Sequence, residues 1–161
     1  MRAKTLPIRV VRLSLAIGLP VFLLALVLWL PHVARASGVV TNCADDSDLH
    51  AKLAGGGLVT FNCGPAPVTI VLSTTDMLGS HIDITQTTTI SGGGLITLQG
   101  NGTARIFNVI SSSLTLDGLT VTGGRALSDP PNHVGGAVNI MNGGVVTVTG
   151  STFFNNQALF G

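Results

Sequence analysis

Charge is scarce in this chain. Only 9% of its 161 residues are Asp, Glu, Lys or Arg, aromatic residues make up 4%, and tyrosine is absent. A hydrophobic fraction of 45% beside so little charge excludes a disordered segment, which needs the opposite balance. The 21 glycines argue against an ordinary helical domain, and beyond one short segment no helical periodicity is found. Cations are scarcer still past residue 36: Lys52, Arg105 and Arg125 stand against seven aspartates, so 37–161 carries a net charge of −4 although the whole chain is +1. Three scattered cations form no basic patch, which excludes nucleic acid and anionic lipid as partners of this part.

The remaining cations are concentrated in the leader. Arg2, Lys4, Arg9 and Arg12 lead into the apolar run 13–30, and Ala34-Arg35-Ala36 comes after it. That order is the basic, apolar and small-residue pattern of an export signal. Residues 1–36 are therefore expected to be a signal peptide cut before Ser37, and the mature chain to be secreted or held at the cell surface. An uncleaved anchor is the competing reading, because a mainly apolar run of 18 residues approaches the length of a membrane-spanning helix; a membrane is then a partner through this segment alone. Gly18 and Pro20 interrupt the run and favour cleavage.

Cys43 and Cys63 are the only cysteines. An even pair in an exported chain points to a disulfide, and no histidine cluster at ligand spacing accompanies it, so neither metal nor cofactor is expected. Between the two cysteines lies the one credible helix. Asp45, Asp46 and Ser47 supply capping oxygens, Leu49 and Leu53 share a face, Lys52 sits in the last turn, and Gly55-Gly56-Gly57 stops it. Two turns are not stable alone, so 37–57 is expected to be a cap whose apolar stripe covers the open end of the strand region beyond it.

From 58 onward the chain reads as short strands at 58–61, 68–72, 82–84, 87–90, 95–98, 105–109, 114–116, 119–121, 137–140, 145–148 and 151–153, punctuated by Gly, Asn and Ser. Two stretches repeat without a gap at an offset of 32: SLTLDGLTVTGGRA at 113–126 and VVTVTGSTFFNNQA at 145–158. A weaker copy, TTTISG at 87–92, matches 113–118 at an offset of 26. The difference is explained by an inserted loop over 126–134, whose Asp129-Pro130-Pro131-Asn132 does not fit a pairing strand. Strand, bend and strand, repeated, is one coil of a solenoid. The predicted fold is all-β, a right-handed parallel β-helix of about four coils over 58–161, roughly 20 Å long at the usual strand spacing. Leu114, Leu116, Val121, Val146, Val148 and Phe153 are placed inward; Thr115, Thr120, Thr122, Thr147 and Thr149 are placed outward, with Thr147 stacked on Thr115 and Thr149 on Asp117. That interruption by Asp117 speaks against a regular, ice-binding threonine array.

Gly135-Gly136-Ala137 and then Phe153-Phe154-Asn155-Asn156 together resemble the paired signature of polymorphic outer-membrane protein repeats, which belong to the pectate-lyase-like parallel β-helices. The resemblance covers 113–158 best, and 119–125 lacks its Phe-x-x-Asn element. It implies structural roles for Gly135, Gly136, Phe153 and Asn156: Phe153 fills the interior and Asn156 satisfies backbone groups at a bend. It also admits enzymes on acidic polysaccharides, lyases with a Ca²⁺ site and hydrolases with gathered carboxylates. The outward acids are scattered, with Asp83 beside His81 apart from the rest, and the sharpest catalytic set is Asp117, Arg125, Asp129 and His133. Turn chemistry accounts for Asp117 and Asp129 better, and His133 reads as a solvated loop residue, so no catalytic residue is assigned. The expected function is a non-catalytic surface or secreted module, adhesin-like or structural, with carbohydrate or another cell-surface ligand as partner. A fragment of a polysaccharide lyase or hydrolase is the alternative. The Asn101-Gly102-Thr103 sequon bears on function only where the source glycosylates. Because the chain ends soon after 145–158, either the product is truncated or it associates end to end.

Overall fold

Alternation of apolar and polar residues is the rule that builds this molecule, and about half of the described residues are strand. The structure, a computed structural model, describes residues 37–73, 81–126 and 134–159; the leader, 74–80, most of the inserted loop and the last two residues lie outside those ranges. In chain order the elements are β1 (Gly38–Val40), α1 (Ser47–Leu53), β2 (Gly57–Phe61), β3 (Val68–Val71), β4 (Ile82–Ile84), β5 (Thr88–Gln99), β6 (Phe107–Ile110), β7 (Ser113–Thr122), β8 (Arg125–Ala126), β9 (Val138–Met141), β10 (Val145–Thr149), β11 (Thr152–Phe154) and β12 (Gln157–Ala158).

Among the described residues every strand pairing is parallel. The largest sheet runs β1-β2-β5-β7-β10, with β3 also on β5 and β11 also on β7; β4-β6-β9 and β8-β12 form two smaller sheets. The register steps from Gly57 to Thr88, Thr88 to Leu114 and Ser113 to Val145. Thr147 pairs with Thr115 and Thr149 with Asp117, and Phe153 pairs with Val121. The expected strands 87–90 and 95–98 are one strand, β5, whose pairing with β7 is interrupted between Ser91 and Ile96; 114–116 and 119–121 likewise merge into β7. The chain carries on through the bend because Gly93, Gly94 and Gly118 take positive φ, and a side chain at Gly92 would run into Leu119.

In-register stacking gives one continuous core. Val59, Ile90, Leu116, Ile70, Leu98, Val121, Ile84, Phe107 and Val109 are all fully or almost fully withdrawn from solvent and form a single cluster. Apart from Phe107, which follows the buried Ile106, and Val109, which precedes Ile110, these positions alternate with polar or exposed ones, so a slip of one residue would turn the row outward.

The cap holds a strand that sequence reasoning placed nowhere: β1 pairs with β2. Leu49 and Leu53 of α1 are buried with Val40 and Val59. The helix stops where Gly56, at φ +72°, donates its N–H to the Leu53 carbonyl at 3.2 Å, the left-handed ending that glycine favours. The capping differs from expectation. Asp46 is the N-cap residue but makes no side-chain cap bond; its carboxylate accepts the Ser73 N–H at 2.6 Å and the Ser73 hydroxyl at 2.9 Å, tying α1 to the chain just past β3.

At the opposite extreme the tier formed by β9 to β12 departs from the expected interior. Val148 and Phe153 stand in register over the buried Leu116 and Val121, as does Ile140 over Val109. Yet Ile140 is 52%, Val148 48% and Phe153 38% exposed. Their side chains keep the inward register but have no tier above them among the described residues. Phe153 thus does not fill a closed interior.

Candidate functional site

The residues singled out from sequence do not form one cluster. Asp117 lies on the outer face of β7, and its carboxylate accepts the Ser91 hydroxyl at 2.9 Å from the tier below. Arg125 is exposed on β8, opposite Gln157 of β12. Among the described residues no ion pair joins Asp117 to Arg125. Asp129 and His133 lie outside the described residues. Cys43 and Cys63 are joined in a disulfide with their Cα atoms 5.8 Å apart, which ties the segment after β1 to the end of β2 and fits an oxidising compartment. Among the described residues no helix is long and apolar enough to cross a membrane.

The signature residues sit where backbones crowd. A side chain at Gly136 would run into the Gln157 backbone, so only glycine admits that approach. Asn156 accepts the Gly124 N–H at 2.9 Å and donates to the Val121 carbonyl at 3.0 Å, completing two backbone groups of the tier below that a bend would otherwise strand.

A different set of side chains does converge, and it was not singled out as a site. In β4, β6 and β9 the alternation turns Ile82 and Ile84, Phe107 and Val109, and Val138 and Ile140 to one side, leaving Asp83, Asn108 and Asn139 on the other. Parallel register stacks these three in a column. Asn139 Nδ2 donates to Asn108 Oδ1 at 3.0 Å, and Asn108 Nδ2 donates to Asp83 Oδ1 at 2.9 Å. A carboxamide carries both a donor and an acceptor, so it can pass a chain of bonds from tier to tier, which a carboxylate can only terminate. His81 Nε2 lies 3.2 Å from the same Asp83 oxygen. Arg105 is almost wholly buried nearby; burial lowers its pKa from the ordinary value, and the Asp83 charge opposes that. The triplets Ile-Asp-Ile, Phe-Asn-Val and Val-Asn-Ile carry the signal, but finding it requires the steps of 25 and 31 between Asp83, Asn108 and Asn139.

The cap's aspartates are committed to structure. Asp48 accepts the Thr41 N–H at 2.7 Å and the Asn42 N–H at 3.1 Å, and these bonds, Thr41 first, hold its pKa below the ordinary carboxylate value. Asp45 is lowered likewise, chiefly by the Ser47 hydroxyl and N–H and by Asn42. Beside the disulfide a shallow groove of about 290 Å³ is walled by Phe61, Leu95 and Ile96 with Thr60 and Ser91 at its edge. It has no titratable group in its lining and lies at the small end for a ligand pocket.

No family model matches this chain, and neither a curated protein nor a solved structure is significantly similar to it.

Proposed function

We propose that the chain is an exported, non-catalytic module built as a right-handed parallel β-helix of the pectate-lyase-like kind, with carbohydrate as its ligand at the secreted or cell-surface location. Support for the winding comes from three sheets whose strands all pair in parallel with the next segment of the same type, since parallel neighbours require the chain to return to the same end before each new strand. Support for export comes from the basic-apolar leader and from the disulfide.

The observation that carries the non-catalytic reading is the use made of the carboxylates. Asp45, Asp46, Asp48, Asp83 and Asp117, the described aspartates, each accept a hydrogen bond from a neighbouring backbone or side-chain group. Each is accounted for by holding a turn, a cap or a tier in place. The second reading, an enzyme on acidic polysaccharides, draws on the gathering of His81, Asp83 and Arg105 beside one sheet face.

The purified chain, incubated with polygalacturonate with and without Ca²⁺, separates the two. Unchanged polymer length, together with retention on a carbohydrate matrix that Asn108→Ala weakens, supports the binding module. Polymer cleavage that disappears in Asp83→Asn would establish the enzyme instead.

A further inference from the structure

We propose that the groove beside the Cys43–Cys63 disulfide is a binding site for one uncharged sugar ring. The proposal rests on the carbohydrate reading above and adds to it a contact on a different sheet from the Asp83-Asn108-Asn139 column.

The stacking of strands does not require this groove. In β7 a single residue, Gly118, turns the chain between Asp117 and Leu119, and β10 and β11 follow the same path in step. In β5 the positions that pair with Asp117 and Leu119 are Ser91 and Ile96, so the same bend holds the four residues 92–95. Ser91 and Ile96 pair in turn with Thr60 and Val68, so the first tier spends the seven residues 61–67 there. The surplus residues wall the groove: Phe61 comes from one widened bend and Leu95 from the other. Leu95 is 38% exposed although it is a large apolar side chain, and no side chain at Gly93 or Gly94 obstructs the approach. Extra residues that break a regular pairing are characteristic of sites where a strand re-aims its side chains toward a ligand.

The lining selects the ligand by three properties together. Its walls are apolar at Phe61, Leu95 and Ile96 and carry hydroxyls at Thr60 and Ser91, which suits a molecule with an apolar ring face and hydroxyls around its edge. Ser91 donates to one oxygen of Asp117 at 2.9 Å; the other Asp117 oxygen accepts no hydrogen bond among the described residues and is left for a ligand hydroxyl. The same carboxylate repels an acidic sugar such as galacturonate. Size completes the selection: about 290 Å³ holds a single ring, whereas a peptide helix is roughly 10–12 Å across. A sugar with its C–H face against Phe61 and Leu95 and its hydroxyls toward Thr60, Ser91 and Asp117 meets all three conditions.

Saturation-transfer NMR of the chain with its disulfide intact provides the test, against neutral oligosaccharides of glucose, galactose and mannose and, separately, oligogalacturonate. Transfer is expected to at least one of the neutral set and not to oligogalacturonate. Leu95→Asp places a carboxylate among the apolar walls and should weaken that binding by about tenfold or more. Deletion of residues 93–95 leaves Gly92 as the counterpart of Gly118 and should abolish the transfer while unfolding stays cooperative; Ser91→Ala, which removes one hydroxyl, provides a further reading if the deletion fails to fold. Matrix retention that Asn108→Ala weakens, with neutral-sugar binding indifferent to Leu95→Asp and Ser91→Ala, would overturn the groove and leave the carbohydrate reading in place. Transfer to oligogalacturonate alone would also overturn the groove, and binding to no saccharide of any kind would overturn both.

Discussion

The first and last tiers of this stack are built from the same kind of strand and end in opposite conditions. At the first, β1 and α1 lie over β2, and Val40, Leu49 and Val59 are fully buried. At the last described tier, Val148 repeats the position of Leu116 in register but is half exposed, because among the described residues Leu116 has a tier on each side and Val148 has one. A strand's pattern sets which way a residue points; its neighbours set whether that residue is buried. The hydrophobic contribution depends on the second.

The largest effect should come from moving one truncation along the column. Leu116→Ala, in the covered tier, should destabilise by about 2–5 kcal/mol, the range for emptying a buried leucine site. Val148→Ala, in register with it, should cost much less in denaturant titrations at high dilution. Equal losses at high dilution would contradict the difference between the two tiers.

Next in size is the tether of the cap. Cys43→Ala should lower stability by about 2–5 kcal/mol, the range for small secreted domains that lose a disulfide. It should also raise dye binding to apolar surface, because a loosened α1 exposes Leu49 and Leu53. Two titratable thiols in the native wild type would refute the bridge.

The alternation and the offset of 32 were legible in the sequence, so the pairing of Thr147 with Thr115 could be read from residue spacing alone. Three things were not. The polar column Asp83-Asn108-Asn139 depends on steps of 25 and 31 in a region without a clean repeat. The role of Asp46 depends on Ser73, 27 residues away, where the local rule assigns its oxygen to the helix start. The exposure of Phe153 depends on what covers its tier, which no local pattern encodes.

The smallest effect concerns pH, and it belongs to the capped end alone. Hydrogen bonds hold Asp45 and Asp48 below the ordinary carboxylate value in the folded chain. Their contribution is therefore present above that ordinary value and lost as the pH falls through the lowered ones. Both carboxylates sit at the surface in contact with solvent, so the shift in melting temperature should be modest, and Asp48→Asn should flatten it on the acid side. An unchanged acid limb in Asp48→Asn would remove Asp48 from the forces that hold the cap.

Parallel, in-register stacking is the claim on which everything else depends. Thr69 pairs with Thr97, Thr97 with Thr120, and Thr120 with Thr152, so a pair of spin labels at 69 and 152 is separated by three strand spacings. Dipolar EPR on that double-cysteine variant, diluted into unlabelled chain, should give a narrow distribution centred near about 14 Å between backbone positions, allowing for the label arms. A broad distribution, or a distance several times longer, would contradict the stacking.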